Sequence, residues 1–269
     1  MTFSDIHLAR RLERSEATAS AKFIEARART SPGSGALWVE VAGAYAMFDG
    51  PDSPLTQTFG LGVFEPPSAD DLALLEDFFL QRRSPVCHEV TPLAGVELAA
   101  ALAGRGYRPI EFTSVMHRPV ALPDADPAPR VQVRRISSGE ESIWSSLSAD
   151  GWSEVPELRE FLLEIGTVVA AAEGSLAFVA ELDGRPIATA ALRCSNGVAL
   201  FAGASTLPDA RNQGAQRALL HARMRHAAQA GCDLAMMCAA PGSPSQRNAE
   251  RQGFRIAYTR TKWCLSLPA

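Results

Sequence analysis

Ser205-Thr206-Leu207-Pro208-Asp209-Ala210-Arg211-Asn212-Gln213-Gly214-Ala215-Gln216 is the stretch whose reading decides the fold. An apolar run, Val198 to Ala202, precedes it and reads as a strand. Gly214 to Gly231 follows, rich in Ala, Leu, Arg and Gln, and reads as a helix. A strand, a tight loop and a helix start leave a nest of unpaired backbone N–H groups. Such a nest suits a phosphate, a pyrophosphate in particular. Pro208 fixes one φ angle of the turn. Gly214 lets backbone approach a ligand closely. Arg211 adds a positive charge at the mouth.

Outward from this loop, the second half reads as an alternation of strands and helices. Val131 to Arg135 alternates and predicts a strand. Ser138 and Glu141 have the spacing of a capping box for a helix running to Leu147. Glu157 to Ala172 predicts a second helix. Leu176 to Glu181 and Pro186 to Cys194 predict strands joined at Asp183-Gly184, and Asn196-Gly197 gives a second hairpin signal. Beyond the loop come a strand from Asp233 to Ala239 and a short helix containing Gln246, Asn248 and Arg251. Phe254 to Tyr258 and Thr261 to Leu265 finish the sheet.

This order, with Arg211-Asn212-Gln213-Gly214-Ala215-Gln216, resembles the GCN5-related N-acetyltransferases (GNAT). That family's motif is Arg or Gln, two residues, Gly, one residue, then Gly or Ala. Gln216 departs from it at the last place. Asn248 and Gly253-Phe254 stand where family members carry Asn and a Gly-Phe pair. The resemblance covers nearly all of residues 130 to 265 and implies acetyl-CoA as cosubstrate. Backbone of Ser205, Thr206 and Leu207 would pair with pantetheine, and Arg211, Asn212, Gln213, Gly214, Ala215 and Gln216 would surround pyrophosphate. Asn248 would reach the pantetheine arm.

The implied reaction is transfer of an acetyl group to an amine of a small molecule or a protein. The residues do not supply its usual acid and base. Ala249 stands where many members have a Tyr acid, and Val198, Leu200 and Phe201 offer no carboxylate on the central strand. Ser245, Glu154, Tyr258 and Cys238 are the substitute catalytic candidates. Trp152, Ser153 and Glu154 mark the acceptor loop by the same resemblance. The alternative is a catalytically weak acyl-CoA-binding or regulatory module. A nucleotide-binding oxidoreductase would need Gly-x-Gly-x-x-Gly and a later acid, and has neither.

The first half resembles the same fold in outline. Residues 5 to 29 predict a helix whose Arg and Glu read as a solvated face. Strands follow at Leu37–Phe48 and Thr56–Phe64. Ser68 is the expected N-cap of a helix from Ala69 to Arg82, with Asp70 and Asp71 in its first turn. A strand at Val86–Val90, a helix at Leu93–Ala103 and a strand at Tyr107–Met116 complete the half. Gly106-Tyr107-Arg108-Pro109-Ile110 echoes Gly253-Phe254-Arg255-Ile256-Ala257. Pro119, Pro123, Pro127 and Pro129 mark a linker. The expected class is α/β: two acyltransferase-like units, each a mixed, mostly antiparallel sheet flanked by helices. Residues 1–122 form a degenerate copy and 130–269 the acetyl-CoA-binding one. The first copy has only Gly60-Leu61-Gly62 where the second has its arginine-glycine loop.

Composition fits this reading. The chain has 269 residues, 46% of them apolar, and a formal charge of -4. That balance gives no electrostatic case for nucleic acid. Five cysteines without a Cys-x-x-Cys pair predict a reduced, cytoplasmic protein with cysteines as small hydrophobes. The N-terminus lacks a long apolar stretch, so no membrane span is expected. His221 and His226 have no ligand spacing, and no metal is expected.

Overall fold

The computed structural model describes residues 3–121, 130–154 and 159–267. In chain order the elements are α1 (Ile6–Thr30), β1 (Leu37–Val41), β2 (Ala44–Phe48), β3 (Gln57–Phe59), α2 (Ala69–Leu80), β4 (Val86–Val90), α3 (Val96–Gly104) and β5 (Arg108–Pro119). Then come β6 (Val131–Arg135), α4 (Glu141–Asp150), α5 (Arg159–Ala171), β7 (Ser175–Leu182), β8 (Arg185–Ser195), β9 (Val198–Thr206), α6 (Ala215–Gln229), β10 (Leu234–Ala239), α7 (Pro244–Arg251) and β11 (Arg255–Leu265). The chain divides into two compact units: Met1–Arg118 with Met236–Ala269, and Pro119–Ala235.

In the first unit the strands run in the order β1-β2-β3-β4-β11-β5. All neighbours are antiparallel except β3 and β4, which pair in parallel through Thr58 with His88 and Phe59 with Glu89. Leu61, Leu72, Leu75, Phe79, Val86, Leu98 and Leu102 build the core that α2 and α3 cover. α2 starts with a capping box: Ser68 Oγ accepts from Asp71 N–H, and Asp71 Oδ2 accepts from Ser68 N–H. Such a cap is worth about 1 kcal/mol. The buried Arg27–Asp49 pair (2.9 Å) ties α1 to the end of β2, and Ser53 also donates to Asp49.

The second unit holds an antiparallel meander, β6-β7-β8-β9. Its tight turns are Asp183-Gly184 and Asn196-Gly197, all four residues at positive φ. That is the backbone a two-residue hairpin needs to match strand twist. α6 contacts all four strands of the meander, and α4 contacts β8 and β9. Trp144 of α4 is buried against Ala177 and Ala191 and donates its indole N–H to Phe178 O at 2.9 Å. α4 and α5 pack closely because Gly166 has no side chain; a Cβ there would lie 2.8 Å from Ser145 Oγ.

Several expectations need correction. Leu37–Phe48 is a hairpin, because Ala42 and Gly43 both take positive φ; a Cβ on Gly43 would meet Phe64 Cβ at 2.6 Å. Alanine is not a signal for that turn, so the sequence read as one strand. The expected strand Thr56–Phe64 ends at Phe59, where Gly60 and Gly62 turn the chain. The capping box of Ser138 and Glu141 does not form: Arg134 holds Glu140 at 2.8 and 2.9 Å, and Glu141 accepts from Gly139 N–H. The two expected terminal strands are one, β11, inserted between β4 and β5. That places Cys264 opposite Cys87, and the two are joined by a disulfide. Cysteines 194, 232 and 238 remain free thiols. Among the described residues no helix is long and apolar enough to cross a membrane. Residues 155–158, where the second helix of this half was expected to begin, lie outside the described ones.

Candidate functional site

The loop after β9 is built by three local devices. Leu207 N–H donates to Ile187 O at 2.9 Å, which extends the strand to the edge of the turn. Pro208–Ala210 then make one 3-10 turn. Asn212 and Gly214 take left-handed conformations, φ 62 and 85, on either side of Gln213. Alternation of this kind turns successive N–H groups toward one side. α6 begins directly after Gly214 with no side-chain cap and no acidic residue in its first turn. The first turn of α6 thus supplies no carboxylate of its own to its leading N–H groups and positive dipole end.

Side chains of the loop are already engaged. Ser205 Oγ donates to Ser148 O at 2.8 Å, and Gly151 lies so near that a Cβ on it would sit 1.8 Å from that oxygen. Gln216 turns back on the strand, donating to Ser205 O (3.1 Å) and Thr206 Oγ1 (2.7 Å). The departure from a small residue at this place thus ties the helix start to the strand end. Arg211 makes a two-pronged pair with Glu154 (2.7 and 3.1 Å) and donates to Gly151 O at 3.2 Å. Sequence reasoning assigned these two side chains different ligands; the structure joins them. Arg211 holds the Glu154 carboxyl below its usual range.

The remaining candidates lie in the first unit. Ser245 and Asn248 are exposed on α7, while Ala249 is buried. Ser243, not Ser245, caps that helix, accepting from Gln246 N–H at 3.1 Å. Asn248 Oδ1 accepts from Arg251 at 3.1 Å. Tyr258 is buried and donates to Glu13 Oε1 at 2.8 Å. Burial first, and then Glu13, push its phenol well above 10. Cys238 donates to Glu16 Oε2 at 3.4 Å, and burial followed by the Glu16 charge raises its thiol well above 9.

Both belong to an ionic cluster that sequence reasoning missed. Arg260, 2% exposed, lies 2.7 Å from Glu16, 2.9 Å from Glu89 and 3.4 Å from Glu13. Glu13 is fully buried, and burial raises its carboxyl pKa against the pull of Arg260. The solvated face expected of α1 is wrong here. A signal existed: Ala9, Glu13, Ala17 and Ala21 recur every four residues, and all four are buried. Arg223 of α6 was missed the same way, amid Ala215, Leu219 and Ala227. No group of His, Cys, Asp and Glu that could hold a metal occurs among the described residues.

The family described as Acetyltransferase (GNAT) domain matches residues 137–241. The matched span contains the whole loop Ser205–Gln216, Glu154 and Cys238, and stops before α7. Over nearly the full chain the fold is similar to a GCN5-related N-acetyltransferase from Kribbella flavida, with TM-score 0.65 and 19% identity across 93% of this chain and 95% of that one. It is also similar to a tandem GNAT protein from the clavulanic acid biosynthesis pathway, with TM-score 0.56 and 12% identity across 94% and 96%. A functionally unknown conserved protein from Staphylococcus epidermidis aligns with TM-score 0.55 and 10% identity over 86% and 93%. At these identities the likeness is one of fold. No curated protein matches the chain. The GNAT fold supports acyl transfer in general.

Proposed function

We propose that the protein transfers an acetyl group from acetyl-CoA to an amine of a small molecule or a protein. The observation that carries this is the uncapped start of α6 behind two left-handed residues, inside the span matched by the GNAT family. In this reading N–H groups of Gln213 to Gln216 receive the pyrophosphate, and backbone of Ser205 to Leu207 lies along pantetheine. The donor supplies a thioester whose thiolate leaves unaided, since a thiol pKa near 8.5 makes it a fair leaving group.

Residues 1–122 and 130–269 are, in the same reading, two copies of one unit, with only the second copy binding. The first copy's glycine pair supports this. A Cβ on Gly60 would meet the Phe64 ring at 2.8 Å, and one on Gly62 would meet Leu98 at 2.6 Å. In this reading, side chains fill the place where the second copy presents its N–H groups.

A binding module without turnover is the second reading. It is favoured by the buried Ala249 and by the protonated, hydrogen-bonded states of Tyr258 and Cys238. A thiol-release assay with acetyl-CoA and a panel of primary amines separates the two. Amine-dependent release of CoA supports the enzyme; acetyl-CoA binding with no release for any amine supports the module.

A further inference from the structure

Arg223 sits in the buried stripe of α6, one turn after Leu219 and one before Ala227, and is 4% exposed. Charged side chains are seldom buried without a partner of opposite charge. Its partners are carbonyls: Nε donates to Leu219 O at 3.2 Å, and Nη1 to Ala191 O at 3.2 Å and Ala202 O at 3.4 Å. The guanidinium also lies 4.8 Å from the centroid of the Phe201 ring. Burial alone pulls its pKa down to about 9, so it stays charged at pH 7.

Ala191 and Ala202 face each other across β8 and β9. They are the last matched pair before the register shifts; the next is Thr189 with Ser205. Ala190 therefore faces two residues, Gly203 and Ala204. This is a bulge on β9, and Gly203 has the positive φ of 59 that such a bulge favours. A bulge disrupts the ladder locally and leaves backbone groups in need of partners. Arg223 donates to the carbonyls of both residues at its edge. Along β9, Val198–Phe201 and Ser205 are buried, but Ala202, Gly203 and Ala204 are exposed. The exposed segment adjoins the start of the loop Ser205–Gln216.

We propose that Arg223 is a positioning residue for acyl transfer: by bracing Ala191 and Ala202 it holds the exposed backbone of Gly203 and Ala204 in one fixed shape at the acyl end of the site. The proposal rests on the acyltransferase reading above. Acyl transfer builds negative charge on the carbonyl oxygen, and N–H donors help only if they are already in place. A guanidinium can bridge two carbonyls at once because its donors form a rigid fork, which an ammonium on a flexible stem does not reproduce.

The test uses the full chain with Arg223→Met and Arg223→Lys. Amide hydrogen exchange in the free protein should speed up at least about tenfold at residues 202–204 in Arg223→Met. The infrared carbonyl band of acetyl-CoA carrying 13C at the thioester should shift on binding to the wild-type protein. That shift should be lost in Arg223→Met and partly kept in Arg223→Lys. With an accepted amine, kcat should fall about 10- to 100-fold while the Kd of acetyl-CoA changes little, less than the ~100- to 1000-fold lost when an aligned donor is removed outright. Unchanged exchange and an unchanged band in a folded Arg223→Met protein overturn the proposal. If the methionine variant does not fold, a lysine variant with the full wild-type shift and exchange overturns it instead. A wild-type protein that fails to bind acetyl-CoA sinks the acyltransferase reading, and exchange at 202–204 then still decides whether Arg223 braces the bulge.

Discussion

Valine at position 214 would put a β-branched side chain where the backbone is left-handed, at φ 85 and ψ 1. That combination is a steric outlier and costs about 1–3 kcal/mol. The strain can appear in two ways. If the loop keeps its shape, stability falls by that amount, a tolerable share of a typical ~5–15 kcal/mol. If the loop relaxes in the free protein, the ligand must restore it, and Kd rises by about 5- to 150-fold. One strain feeds both losses, so together they should come to about 1–3 kcal/mol. The valine methyls also crowd the N–H nest, so affinity should fall even where the loop holds. Gly214→Ala, with a smaller side chain, should show the same signs more weakly. Calorimetric titration with acetyl-CoA and a denaturant melt measure the two parts. A folded Gly214→Val protein with unchanged Kd would refute the placement of pyrophosphate at this loop.

Three further outcomes are expected. Glu154→Gln should tighten acetyl-CoA binding a few-fold, more at low ionic strength, because the phosphates no longer compete with a carboxylate for Arg211; weaker binding in titrations at two salt concentrations would contradict this. For an alkyl amine acceptor, kcat/KM should rise tenfold per pH unit through pH 8 without an inflection from the protein. Tyr258 and Cys238 are shifted up and Glu154 down, so none of the three titrates between pH 6 and 8; an inflection there that one single-residue variant removes would show a protein base. Glu13 has a raised folded pKa, so the fold binds its proton more tightly than the unfolded chain and stability falls as pH rises above about 4.5. Glu13→Gln should remove that fall, gaining in Tm relative to wild type at pH 8 more than at pH 5; equal differences at both pH values would count against a protonated Glu13.

Much of the second unit was legible because its signals are local. Asp183-Gly184 and Asn196-Gly197 specify their turns through residues that accept positive φ, and the structure has both hairpins. In the first unit Ser68 marked a helix start by an equally local signal, its side chain capping α2. Ala42-Gly43 makes a turn of the same kind from a residue that carries no such signal. The insertion of β11 between β4 and β5 was hidden because its partners lie far off in sequence; Cys87 and Cys264 are 177 residues apart. The loop Ser205–Gln216 was read as a backbone site ending in a helix start, and α6 does start there; the left-handed turns at Asn212 and Gly214 were not anticipated. Its side-chain partners were not legible, since the Arg211–Glu154 pair and the Gln216–Thr206 bond depend on how the loops fold over one another. Glu13 was misjudged, and Arg223 passed over, for a different reason. Charge suggested solvent, whereas their four-residue spacing from buried Ala and Leu assigned them to the inside.

The most direct test of the central claim is calorimetric titration of the full chain with acetyl-CoA, with NAD as the control. The account predicts saturable binding of acetyl-CoA at one site per chain and none of NAD, since in the proposed reading only the second copy binds. Two acetyl-CoA sites per chain would contradict the degenerate first copy, and no acetyl-CoA binding at all would contradict the account as a whole.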